Sequence, residues 1–168
     1  MTAATRRSFL RGRFDEAPVM RPYGALPGAD FARACTGCGD CAKACPEAII
    51  IQDERHLPKV DLSLGACTFC SDCIEACESG ALVEGQPWPW KARINSGCLA
   101  LNAVECRSCQ DFCDTRAIRF RLQVGGRAKP ELDPALCTGC GECAQACPVA
   151  AIAFVQSQPQ QPQMETHA

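Results

Sequence analysis

Aromatic residues make up only 6% of this 168-residue chain, which holds one tyrosine, two tryptophans and seven phenylalanines. A core built on large rings is therefore thin, and the apolar share of 47% is inflated by cysteine. Long apolar runs are missing too. The longest span only a handful of residues, such as Ala48–Ile51, against the roughly 20 that a membrane helix needs. Direct membrane insertion is thereby excluded, and association with a membrane would go through a partner. Phosphate loops, dinucleotide fingerprints and nucleophile–base patterns are all lacking. Nothing builds a pocket for a small-molecule substrate, so the chain does not read as an enzyme. A formal charge of −2 argues against nucleic acid.

What the chain has instead is cysteine, sixteen of them in four short ladders. They are Cys35-Cys38-Cys41-Cys45, Cys67-Cys70-Cys73-Cys77, Cys98-Cys106-Cys109-Cys113 and Cys137-Cys140-Cys143-Cys147. Three follow C-x2-C-x2-C-x3-C without deviation, the ligand run of bacterial ferredoxins. A disulfide framework fits poorly, since a C-x-x-C bridge closes a very short loop. Structural zinc prefers C-x2-C pairs about 12 to 20 residues apart, and these ladders are packed far more tightly. Soft thiolates in fours suit iron–sulfur clusters with no open iron site. All sixteen cysteines are thus candidate iron ligands for four 4Fe-4S clusters. Thiolates at this density survive best in a reducing compartment, which points to the cytoplasm.

Cluster ligation should supply much of the folding energy, leaving the iron-free chain largely unfolded. Each oxidised cluster with four thiolates carries about −2, so full loading brings the chain to roughly −10. An acidic carrier suits a partner with a positive docking patch. Gly37, Gly39, Gly139 and Gly141 stand between ligands, where they permit tight turns and let backbone N–H groups approach the sulfurs.

The ladders recur with a period in the thirties, and the expected architecture is α+β. Two bacterial dicluster ferredoxin-like modules in tandem would occupy residues 31–87 and 88–155. A basic segment, 1–30, precedes them, and a Gln/Pro tail, 156–168, reads as disordered. Strand-prone runs are Ala48–Ile51, Ala81–Val83, Ala117–Leu122 and Ala150–Val155, with returning runs at Lys59–Leu62, Lys91–Ile94 and Glu131–Asp133. Turn signals at Asp53-Glu54, Gly85-Gln86-Pro87 and Gly125-Gly126 lie between them. Trp88-Pro89-Trp90 is read as packing over the module boundary, with a partner surface as the alternative. His56 is read as a solvated turn residue rather than a ligand.

The fourth cysteine of a ferredoxin ladder ligates the neighbouring cluster. Sequential pairing would group Cys35, Cys38 and Cys41 with Cys77, and Cys67, Cys70 and Cys73 with Cys45. Cys98, Cys106 and Cys109 would then take Cys147, and Cys137, Cys140 and Cys143 would take Cys113. A nested arrangement, with ladders one and four around two and three, is the alternative. Pro46 and Pro148 follow the fourth cysteine in ladders one and four, whereas Glu78 and Asp114 stand there in ladders two and three. A carboxylate disfavours adding an electron, so the clusters beside Glu78 and Asp114 are expected at lower potential.

Thr5-Arg6-Arg7-Ser8-Phe9-Leu10-Arg11 resembles the twin-arginine signature of folded-protein export, but a charged, proline-broken stretch follows where an apolar run is required. Arg6, Arg7, Phe9, Leu10 and Arg11 are candidate partner-docking residues; a disordered basic terminus is the plainer reading. Together with the irregular ladder, in which Leu99 to Glu105 separate Cys98 from Cys106, this start resembles the NapF family of ferredoxin-type proteins. That family is encoded with periplasmic nitrate reductase, and the resemblance covers nearly all of the chain except the tail. It implies a cytoplasmic protein with four 4Fe-4S clusters that contacts the nitrate reductase catalytic subunit before export. It further implies help in maturing that subunit, by cluster or electron supply. Two other readings stay open, a general polyferredoxin electron carrier to a reductase and a non-redox cysteine-rich binding module.

Overall fold

The computed structural model of the protein describes residues 18–157. The candidate docking residues Arg6, Arg7, Phe9, Leu10 and Arg11, and most of the Gln/Pro tail, lie outside them. Helices are one or two turns long: α1 (Gly28–Ala34), α2 (Asp40–Ala44), α3 (Asp72–Glu75), α4 (Ser108–Asp111) and α5 (Glu142–Gln145). Strands are β1 (Ile50–Gln52), β2 (Pro58–Val60), β3 (Trp90–Ile94), β4 (Ile118–Leu122), β5 (Ala128–Leu132) and β6 (Ile152–Gln156). A 3-10 turn spans Ala100–Asn102 inside the irregular ladder.

The ladder itself dictates where α2, α3 and α5 begin. The residue after the second cysteine is left-handed in the three regular ladders, at Gly39 (φ 80°), Ser71 (φ 71°) and Gly141 (φ 106°). That reversal turns the chain so that the third cysteine enters a helical turn facing inward. Cys41, Cys73 and Cys143 are accordingly buried. Ladder three reaches the same burial at Cys109 from Arg107, whose φ is −134°. Three residues after each fourth cysteine, at Ala48, Gly80, Arg116 and Ala150, the backbone is left-handed again and leads into the next extended segment.

Two hairpins form where turn chemistry predicts them. β1 pairs with β2, Ile50 opposite Val60, and Asp53 Oδ1 closes the turn by accepting the N–H groups of Arg55 and Leu57. The Arg21 guanidinium straps this turn, donating to Asp53 at 2.7 Å and to the Pro58 carbonyl at 2.9 Å. β4 pairs with β5, Ile118 opposite Leu132, around Gly125-Gly126.

The remaining runs do not pair with each other across Gly85-Gln86-Pro87. Leu82 bridges Ala25 instead, flanked by Leu26 N–H to Ala81 O and Val83 N–H to Gly24 O. β3 pairs with β6, Trp90 opposite Gln156 and Ile94 opposite Ile152. Pro87 and Pro89 lack the N–H groups a ladder would need there, and each dicluster unit closes on its own ends. Residues 20–26 thus contribute to the first unit, where Met20 O also accepts Val60 N–H.

Each unit has its own small core. The first is Phe31, Ile49, Ile50, Val60, Leu62, Ala81 and Leu82 with Cys41 and Cys73. The second is Ala92, Ala117 and Ile118 with Cys109, Cys137 and Cys143. Phe154 packs against both. At the boundary Trp88 donates its indole N–H to Gly139 O, and its ring meets Tyr23 and Phe69 edge to face. The Trp88-Pro89-Trp90 stretch therefore packs over the junction, as the sequence suggests, with Trp90 buried.

Candidate metal centres

The sixteen thiols stand in four groups. Burial, then the neighbouring charges of Cys35, Cys38 and Cys77, pushes the Cys41 thiol up to about 11. Cys73 is pushed up to about 12 by burial, then by Cys67, Cys70, Cys41 and Cys45. In the second unit one cavity is walled by Cys98, Cys106, Cys109 and Cys147, and another by Cys113, Cys137, Cys140 and Cys143. These neighbourhoods follow the sequential pairing and not the nested one.

Burial likewise raises Cys109 to about 11 and Cys143 to about 12. Burial thus disfavours a free thiolate at the third cysteine of every ladder, and metal ligation, which requires the thiolate, releases protons. Cys77 goes the other way. Burial alone would raise it, but Ser79 and the N–H groups of Leu82, Ala81 and Gly80 outweigh burial and hold it below an ordinary thiol.

The donor set fits cubic clusters. Among the described residues no three His, Cys, Asp or Glu converge as ligands of one ion. Tetrahedral zinc would draw its sulfurs to roughly 3.8 Å of one another, given a bond of about 2.3 Å. In the second unit the thiols line two separate cavities, four to each, as ligands to separate iron corners of a cluster would. Apolar walls, Leu99, Phe120 and Ile152 at one site and Ala92, Ile118 and Phe154 at the other, keep water from the sulfurs.

Backbone donors reach those sulfurs. Ala151 N–H approaches Cys147 Sγ at 3.1 Å, Leu82 N–H approaches Cys77 at 3.4 Å, and Ala92 N–H approaches Cys137 at 3.5 Å. Hydroxyls sit two residues beyond three cysteines, Ser79 by Cys77, Ser108 by Cys106 and Thr115 by Cys113. Sequence reasoning passed over this Cys-x-Ser/Thr spacing, although it was there to be read. Glu78 and Asp114 are exposed, so water screens their effect. His56 is an exposed turn residue with φ 59°.

The two units touch through ladders two and four. Cys67 N–H donates to Cys140 O at 2.7 Å, and Cys140 is among the charges acting on the Cys67 thiol. Gly141 lies against Leu62, and Gly139 is buried beneath Trp88 and Trp90.

Comparison with known proteins agrees with this geometry. Models of a 4Fe-4S dicluster domain match residues 32–82 and 104–151. Two such domains and sixteen cysteines correspond to four 4Fe-4S clusters, which sets aside the non-redox binding module. The chain is 42% identical over 160 residues to the ferredoxin-type protein NapF of Haemophilus influenzae, covering 88% of this chain and 91% of that one. Against NapF of Escherichia coli K12 it is 38% identical, covering 89% and 93%. The methylamine utilization ferredoxin-type protein MauM of Methylorubrum extorquens is 33% identical, with 79% and 69% covered.

Proposed function

Because the chain belongs to the NapF family of ferredoxin-type proteins, we propose that it is a cytoplasmic iron–sulfur accessory protein, not an enzyme, that assists maturation of a periplasmic nitrate reductase catalytic subunit before export. The observation that carries this reading is likeness along nearly the whole chain, across the long gap between Cys98 and Cys106 as well as the regular ladders.

When bound, the clusters supply one-electron exchange at low potential. The chain's own residues do the rest. Cys35, Cys38, Cys41 and Cys77 would hold one cluster, and Cys67, Cys70, Cys73 and Cys45 the second. Cys98, Cys106, Cys109 and Cys147 would hold the third, and Cys137, Cys140, Cys143 and Cys113 the fourth. Ala92, Leu82 and Ala151 stabilise charge on the sulfurs through their N–H groups. Because sulfur-directed donors and flanking carboxylates differ from site to site, a potentiometric titration should resolve more than one reduction step. Four coincident steps would contradict that inequality.

The test of maturation is anaerobic mixing of cluster-loaded protein with cluster-free nitrate reductase catalytic subunit, followed by separation and iron and sulfide assay of each. Iron on the catalytic subunit identifies a donor. Iron retained by this protein removes donation and leaves electron supply. Shortening the chain through residue 17 should weaken binding to that subunit about tenfold, by loss of Arg6, Arg7 and Arg11, with iron content unchanged. Unchanged binding would remove the docking role of those residues with Phe9 and Leu10. The cut should stop there, since Met20 belongs to the first core.

A general electron carrier is the second reading. The likeness to a methylamine utilization ferredoxin-type protein favours it, because one architecture then stands beside a different system.

A further inference from the structure

Charge is divided unevenly between the two units. Residues 31–87 carry four Lys and Arg against nine Asp and Glu, whereas residues 88–155 carry eight against six. Five of those eight cations, Arg116, Arg119, Arg121, Arg127 and Lys129, fall in or beside the β4–β5 hairpin, where Glu131 is the lone carboxylate of residues 116–132. The register sets Arg121 directly opposite Lys129, a cross-strand repulsion that works against the hairpin. Arg121 takes Glu131 as its ion-pair partner. Arg127 and Lys129 are left exposed, with no carboxylate paired to either among the described residues.

The same hairpin exposes apolar side chains at its tip. Leu122 is 74% exposed and Val124 fully so. Beside the hairpin, the loop that lengthens ladder three presents Leu101, on a 3-10 turn packed against β5, and Val104, both exposed. Loop and hairpin line a cavity of about 150 Å³, with Val104, Glu105, Cys106 and Arg107 on the loop side and Gly126, Arg127 and Ala128 on the hairpin side. A cation stands on each side, Arg107 and Arg127 against the single carboxylate of Glu105, and Cys106 of ladder three lines the cavity next to Arg107.

We propose that this face, the Leu99–Glu105 loop with the β4–β5 hairpin, docks an acidic patch on a redox partner protein. A protruding Asp or Glu of the partner enters between Arg107 and Arg127, Leu122 and Val124 cover apolar surface at the rim, and the partner is seated against Cys106. Concavity argues for a protein: a bilayer surface has no side chain to place between two walls. The charge sign reverses what net charge alone suggests, because the acidic half lies in the other unit. The inference deepens the proposed function and rests on it.

The experiment measures binding of the loaded, full-length protein to the nitrate reductase catalytic subunit, anaerobically, at several salt concentrations. Arg127→Glu with Lys129→Glu should weaken binding at least about tenfold at low salt and flatten its salt dependence. Leu122→Ser with Val124→Ser should weaken it with the salt dependence kept. Arg33→Glu, an exposed cation on α1, makes half that charge change elsewhere and should stay within about twofold. Iron and sulfide content report that every variant is folded. Wild-type binding that the hairpin variants leave untouched overturns this surface and spares the proposed function. No wild-type binding overturns both. Retention on vesicles of phosphatidylglycerol and phosphatidylcholine, lost in the double charge reversal while binding to the subunit is unchanged, assigns the face to membrane and overturns the protein partner.

Discussion

Stripping iron and sulfide anaerobically is expected to unfold the second unit outright and to leave the first at most partly ordered. The measurement is far-ultraviolet circular dichroism with amide hydrogen exchange, before and after chelation. Structural metals contribute on the order of 10–16 kcal/mol in small domains, while a whole domain is stable by about 5–15 kcal/mol. Losing the metal therefore exceeds what remains. The difference between units follows from their cores. Phe31, Ile49, Ile50, Val60, Leu62 and Leu82 fill the first, whereas the second has Ala92, Ala117 and Ile118 and relies on Cys109, Cys137 and Cys143 for the rest. A cooperative thermal transition in iron-free protein, with slow exchange at β4 and β5, would show that the peptide core suffices.

Gly139→Ala is expected to cost about 3–5 kcal/mol and to lower iron content by about a quarter, the share of one cluster. Two penalties combine there. The backbone is left-handed at φ 78°, which costs a residue with a Cβ about 1 kcal/mol. An added Cβ would also collide with the Trp90 carbonyl oxygen and stand 2.8 Å from the Trp88 indole nitrogen. Neither backbone nor packed indole can give way without opening the junction. Gly80→Ala separates the two terms: its φ is 68°, but nothing lies within 4 Å of the added atom. That variant should lose only about 1 kcal/mol and keep its iron. Denaturation midpoints and iron per chain measure both. Equal losses would mean that backbone conformation alone, and not the Trp contact, governs the site.

Much of the site was legible because cluster ligation is written in local spacing. The ladders could be read directly, and so could the hairpin turns at Asp53 and Gly125-Gly126. The partners of Ala81–Val83 and Lys91–Ile94 could not. Strands of three to five residues are too short to show alternation, and the residues that pair with them stand far off in the chain. Local pattern also missed Phe69 and Ser71, which adopt φ 57° and 71° where ladders one and four carry glycine. Cluster ligands on both sides hold them there against their own preference. Arg119 and Arg121, alternating with Phe120, were a period-2 signal that went unread, since a net acidic chain directs attention away from a local basic face.

The β3–β6 pairing also sets an order of biogenesis. The bridge at Ala25 and Leu82 lets the first unit close once residue 82 has been made. Trp90 waits for Gln156. At about 5–20 residues per second, the intervening stretch takes on the order of 4 to 15 seconds to synthesise. In the later part of that interval Cys98, Cys106, Cys109 and Cys113 have been made without Cys147, whose cavity they share in part. The growing chain thus passes through a stage with one unit ready for iron and the other holding bare thiols, and oxidant or stray zinc arriving then would reach the second unit selectively.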